Sequence, residues 1–208
     1  LLRRGLATVV QAVLVLLAVV GGAARLAAQS SADDQREAPE VRTLVLNGAG
    51  HVDKRDLGRS IATQASECKN IAFEIFCAFS KSSTFFDKHY LDREELKRDV
   101  LRIRVYYWKR GYREATVDTA VTPHGEHAVN VTFDINPGPP TVVTALRIDY
   151  DSTLISARRS RKLTMLGKGE PLNLLTLDSM RHAFQSEMWS HGYSDAVVDT
   201  AIAVNNEL

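Results

Sequence analysis

The sequence predicts an α+β fold of two tandem units, each running strand, helix, helix, strand, strand, with the second unit incomplete. Two observations predict it. The first is a change of period: apolar residues recur at helical spacing at Leu96, Val100, Ile103 and Tyr107, and past Gly111 the pattern alternates. The second is self-similarity. Gly192-Tyr193 repeats Gly111-Tyr112 at an offset of 81 (193 − 112). At that offset Leu172 falls on Leu91, Asn173 on Asp92, Leu177 on Leu96 and Trp189 on Trp108. Ala196, Val198, Asp199, Thr200 and Ala201 fall on Ala115, Val117, Asp118, Thr119 and Ala120. A cap, an apolar staple, a glycine stop and a strand phase copied in one register make a tandem structural repeat.

In chain order, residues 1–28 read as an export signal. Arg3 and Arg4 form a basic n-region, Ala7 to Val20 is apolar apart from Thr8 and Gln11, and Leu26-Ala27-Ala28 is an acceptable cleavage site. The rival is an uncleaved anchor, for which the run falls short of the roughly 20 residues a spanning helix prefers. No cysteine adjoins the site, so a lipoprotein is not expected. Leu1 at the start, in place of Met, implies a non-standard or clipped first residue. Residues 29–40 are a polar linker.

The first unit spans residues 41–140. Val41 to Asn47 is its first strand, turned by Gly48-Ala49-Gly50. Asp53 caps a short helix, with Val52 and Leu57 as staple and Asp56 at the capping-box position. The second helix has Asp92 as cap, Glu95 at the box position and Leu91 with Leu96 as staple, and it stops at Gly111. Ala115, Val117, Thr119 and Val121 then lie on one strand face and Thr116, Asp118 and Ala120 on the other. Pro123, His124, Gly125 and Glu126 turn the chain into a strand with Val129, Val131, Phe133 and Ile135 on one face, closed by Pro137-Gly138-Pro139.

The second unit spans residues 141–208. Val143, Leu146 and Ile148 match Val41, Leu44 and Leu46 at an offset of 102 (143 − 41). The first unit therefore carries 21 extra residues (102 − 81), placed at about 64–86. This insertion holds Cys68 and Cys77, the sequence's two cysteines. In an exported chain an even count favours a disulfide. Two buried free thiols among Ile71, Phe73, Ile75 and Phe76 are the other reading. The strand Ala196 to Val204 lacks the partner that Val129 to Ile135 provides in the first unit, which implies a longer chain.

Composition narrows the function. Hydrophobic content of 45% and charged content of 25% describe a globular protein. Without Arg3, Arg4 and Arg25 the chain has 23 basic and 25 acidic residues, so it carries no basic footprint for nucleic acid. His124-Gly125-Glu126-His127 resembles a metal pair but sits in a hairpin turn with no third ligand, and reads as solvated. Gly48-x-Gly50 lacks a third glycine, because Asp53 stands there, so it is a strand-to-helix turn and not a dinucleotide site. His51, His89, His182 and His191 are scattered and read as surface or helix-face residues. Tyr106, Tyr107 and Trp108 are expected to pack their helix on the sheet, with an exposed aromatic binding stripe as the rival. Arg158, Arg159, Arg161 and Lys162 read as a solvated helix face, with anionic lipid as the rival. No convergent acid, base or nucleophile points to an enzyme, and no cofactor, metal or small-molecule substrate is expected.

Tyr106-Tyr107-Trp108-Lys109-Arg110-Gly111-Tyr112-Arg113-Glu114-Ala115, followed by Val129 to Pro139, resembles the POTRA domain. The resemblance covers residues 41 to about 204 and is of the BamA/TamA kind of outer-membrane protein assembly factor. It implies a three-stranded mixed sheet with two helices on one face. It implies a periplasmic scaffold, attached to the outer membrane through a C-terminal β-barrel beyond this sequence. Its partners would be unfolded outer-membrane protein clients and accessory assembly proteins. The strand Ala115, Thr116, Val117, Asp118, Thr119, Ala120, Val121 is the one expected at an open edge for strand addition. Gly111, Tyr112, Gly192 and Tyr193 are the expected structural positions. A two-partner secretion transporter and an anchored cell-division protein with one such unit are the alternatives.

Overall fold

The computed structural model describes residues 38–69 and 86–204. The expected signal segment, Cys77 with most of the insertion, and residues 205–208 lie outside the described residues. Backbone contacts group the described chain into two compact bodies. One holds residues 38–44, 63–69, 86–96 and 121–131; the other holds 45–62, 97–120 and 132–204.

The elements of the first repeat follow the expected order. Strand β1 (Glu40–Asn47) leads through the Gly48 turn to helix α1 (Lys54–Arg59). Asp53 caps α1 by accepting the amides of Arg55 and Asp56, and these two hydrogen bonds, Asp56 first, hold its carboxyl below the usual carboxylate range. A short antiparallel ladder of β2 (Glu67–Cys68) and β3 (Phe86–Asp87) closes the base of the insertion, which the sequence reading did not foresee. Cys68 is disulfide-bonded.

Helix α2 (Arg93–Lys109) starts where the cap requires, with Asp92 Oδ1 accepting the amides of Glu94 at 2.8 Å and Glu95 at 3.1 Å. Strands β4 (Thr116–Pro123) and β5 (Ala128–Asn136) form the expected hairpin. The β4 strand begins one residue later than predicted and runs to Pro123. The sheet order is β1-β5-β4. Side-chain bonds Thr43 to Asn130 and Asn47 to Asp134 both span 87 residues, a constant register that only parallel strands give. With the antiparallel hairpin this makes the sheet mixed.

Apolar burial in the first body centres on Val41, Leu91, Leu96, Val129 and Val131. In the second body Leu57, Ile103, Tyr107 and Phe133 are fully buried. The remaining core cluster there joins helices α3 (Ala157–Leu163) and α4 (Leu174–Ser190) through Ile155, Leu163, Met180 and Phe184. Asn173 caps α4 by accepting the amides of Leu175 and Thr176, as its counterpart Asp92 does for α2. Arg158, Arg159, Arg161 and Lys162 lie exposed on α3, and Arg159 reaches Glu187 on α4 at 2.6 Å, which depresses the Glu187 carboxyl.

Two expected strands do not form. The segments from Val143 to Ile148 and from Ala196 to Val204 carry no ladder; Val142 alone makes an isolated bridge, to Pro171. The sheet order gives the reason. In the first repeat the outer strands β1 and β4 pair with the central β5, not with each other. Among the described residues their counterparts have no central strand between them, and alternation without a lateral partner forms no ladder. A cleft of about 510 Å³ lined by both segments lies over Met180 and Phe184.

Candidate docking site

An edge strand must expose its backbone and be held firmly from behind. In β4 the side chains of Thr116, Asp118, Thr119 and Ala120 are exposed and those of Val117 and Val121 half-buried; Ala115, just before the strand, is buried. Among the described residues no strand lies beyond β4. The opposite edge, β1, is different. The Val41 amide donates to the His89 carbonyl and its carbonyl accepts from the Ser66 amide, both at 2.8 Å, and Glu40 bridges to Tyr90. Part of that edge is therefore occupied, and β4 is the more open of the two. The hairpin that carries it is closed by the His124 amide donating to the Ala128 carbonyl at 2.8 Å. In this turn Glu126 and His127 are 93% and 94% exposed, the solvated turn expected.

The chain enters β4 from the end of α2. The Tyr112 amide donates to the Tyr107 carbonyl at 3.0 Å and the Gly111 amide to the Trp108 carbonyl at 3.1 Å. This is a Schellman stop, and it requires Gly111 at φ +94°. The second repeat copies it: Tyr193 donates to Met188, Gly192 to Trp189, and Gly192 stands at φ +92°. The copies differ in their surroundings. A Cβ on Gly111 would meet the Leu172 amide nitrogen at 2.8 Å, whereas one on Gly192 would meet nothing within 4 Å. Likewise Tyr112 is buried against Tyr107, ring centroids 5.9 Å apart, while Tyr193 is exposed.

Behind the stop, a polar brace ties α1 to α2. The Tyr106 hydroxyl donates to Asp56 at 2.7 Å, and Arg110 donates to the same oxygen at 2.8 Å while lying 3.4 Å above the Tyr106 ring. Desolvation, then the bond to Asp56, pushes the Tyr106 phenol up to about 12. Burial likewise raises Tyr107. Asp99, fully buried on α2, accepts the Ala62 amide at 2.8 Å and pairs with Arg102. Sequence reasoning missed Asp99. The available signal was its phase: it stands three residues after Leu96 and four before Ile103, on the buried stripe.

The aromatic triplet divides. Tyr106 and Tyr107 are buried as expected, but Trp108 is 43% exposed and Trp189 49% exposed. One residue past Tyr107 is about 100° round the helix, away from the core face.

Residues 39–138 match the family model of POTRA, described as a surface antigen variable number repeat. This stretch is a POTRA domain. The expected β-α-α-β-β order is borne out within it. Among solved structures, the chain is similar to Haemophilus influenzae BamA POTRA3-5 at 21% identity and a TM-score of 0.40, over 81% of this chain and 61% of that one. It is also similar to BamA POTRA4 of the same organism at 13% identity and a TM-score of 0.33, over 50% of this chain and 97% of that one. No curated protein matches the chain. No helix among the described residues is long and apolar enough to cross a membrane.

Proposed function

We propose that this chain is a periplasmic docking and chaperone scaffold for outer-membrane protein assembly, and that its POTRA domain captures unfolded client strands by strand addition along Ala115–Val121. The observation that carries the reading is the place of β4 at the open edge of the β1-β5-β4 sheet. An unfolded membrane strand has unpaired N–H and C=O groups before it reaches lipid, and an edge strand offers their complements. Main-chain bonding does not read side chains, which suits a scaffold that accepts many clients. Asp118, exposed on the strand, opposes self-pairing of the same edge. Accessory assembly proteins are the second class of partner, and attachment to the outer membrane through a β-barrel belongs to the same reading.

Proline substitution tests it. Backbone N–H groups alternate sides along a strand, so Thr116, Asp118 and Ala120 form one set and Val117 and Thr119 the other. Proline in the set facing β5 unfolds the domain. Proline in the outward set leaves the circular dichroism spectrum unchanged and abolishes binding of an extended peptide from an outer-membrane strand. If neither set affects folding or peptide binding, strand addition at β4 is wrong.

A further inference from the structure

The outer face of α2 carries a surface that the fold does not need. Leu101, Val105 and Trp108 stand four and three residues apart on one stripe and are 58%, 49% and 43% exposed. Lys97, Arg98, Arg104 and Lys109 are exposed around them. The one carboxylate in this part of the helix, Asp99, is fully buried. Asp99 pairs with Arg102, and the ridge is flanked mostly by basic side chains.

The second repeat is an internal control. At the offset of 81, α4 has the same kind of cap and the same glycine stop, yet it carries His182 for Leu101, Ser186 for Val105, Gln185 for Arg104 and Ser190 for Lys109. Trp189 repeats Trp108 and is exposed in the same way, so what α2 adds to the shared helix is Leu101 and Val105 with the cations beside them. Exposed apolar surface rimmed by charge marks an interaction site.

The surface is also concave on one side. Val105 forms part of a groove of about 450 Å³ lined by Arg59, Arg102, Lys109 and Arg110 and by one carboxylate, Asp56, which pairs with Arg110. A flat bilayer surface cannot enter a groove, whereas side chains of a docked helix can. The ridge repeats with helical period, which is the period an apposed helix presents. The rim is basic, so the complementary partner is acidic. We propose that this face docks an acidic amphipathic helix of a partner protein, with its apolar stripe on Leu101, Val105 and Trp108 and its carboxylates against the basic rim. The proposal rests on the scaffold reading for the existence of partner proteins, and it makes no use of β4.

The probe is a labelled synthetic helix of about 18 residues with leucines at i, i+4, i+7 and i+11 and glutamates beside them. A control peptide carries lysines in place of the glutamates, and vesicles of about 30% phosphatidylglycerol present the membrane alternative. Anisotropy with the full chain is expected to show saturable binding of the acidic peptide and none of the basic one. Leu101→His with Val105→Ser transplants the residues of the second repeat, and Arg104→Glu with Lys109→Glu reverses the rim. Each pair is expected to weaken binding of the acidic peptide at least about tenfold. Binding of an extended client peptide stays unchanged in both, so failure of this face and failure of strand capture are separate results. No binding of the acidic peptide, equal binding of the basic one, or wild-type affinity in both paired variants overturns the proposal. So does a loss in the variants of vesicle binding alone, which would make the face a membrane contact.

Discussion

Gly111 is constrained twice, and Gly192 once. Both take a positive φ to end a helix, a conformation that costs an L-residue about 1–2 kcal/mol. At Gly111 a side chain would also press on the Leu172 backbone, which cannot swing aside as the tip of a side chain can. Gly192→Ala is therefore expected to cost about 1 kcal/mol, and Gly111→Ala at least about 1 kcal/mol more, as overpacking does. Urea unfolding of the full chain measures the difference, and equal losses would remove the second constraint. Tyr106 gives a prediction in pH. Its folded value of about 12 lies above the ordinary 10.0, so the folded state holds the proton more tightly than the unfolded one. The contribution is complete below pH 10.0 and is lost as pH rises through about 12. Asp56→Asn removes the carboxylate that accepts the Tyr106 hydroxyl, and ultraviolet titration should then find this phenol ionising at lower pH. An unmoved titration would show that Asp56 does not hold the proton.

At the scale of elements, local signals were legible and pairing was not. Asp53, Asp92 and Asn173 each cap the helix the sequence assigned to them, because a cap is decided within three residues. The alternation at Val129, Val131, Phe133 and Ile135 buries all four, because period two puts them on one face of the central strand. The same alternation at Ala196 to Val204 gives no strand, since a strand also needs a neighbour that the alternation itself does not encode. Trp108 adjoins two buried tyrosines in sequence, but helical phase carries it off the core face. Asp99 was passed over because a carboxylate was not sought on an apolar stripe. Of the candidate edge, the sequence carried the strand and the parity of its residues; the β1-β5-β4 order that exposes it came from long-range pairing. A strand supplied in the central position is expected to restore the ladder. Since β5 starts at Ala128 and 128 + 81 = 209, its nine residues appended after Leu208 fall in the central position. Hydrogen exchange should then slow at residues 143–148 and 196–204. Unchanged exchange in both segments would mean that a partner strand is not what limits their pairing.

On the scale of the whole molecule, the two repeats are joined by a paired strip, not a loose linker. The Thr141 amide donates to the Gly111 carbonyl at 2.8 Å, and the Thr141 carbonyl accepts from the Leu172 amide at 2.7 Å. Val143 donates to the Glu170 carbonyl at 2.9 Å and accepts from Gly169 at 2.8 Å, with the Val142–Pro171 bridge between. Thr141 thus ties the stop of α2 to the residues just before α4. Since Gly111 also feeds β4, loosening this tie is expected to loosen the start of the proposed docking edge. The sequence supplies a reporter for each repeat in its two tryptophans, Trp108 and Trp189. Both are partly exposed at corresponding positions, so replacing either with phenylalanine disturbs little core. In such single-tryptophan chains, thermal unfolding followed by fluorescence should give coincident transitions, because the strip makes unfolding of one repeat cost bonds in the other. Thr141→Pro deletes the donor to Gly111 and fits the preceding Pro139-Pro140 run. It should separate the transitions, with the Trp189 reporter melting first, since its repeat has no central strand among the described residues. Two separate transitions already present with Thr141 intact would show that the strip does not couple the repeats.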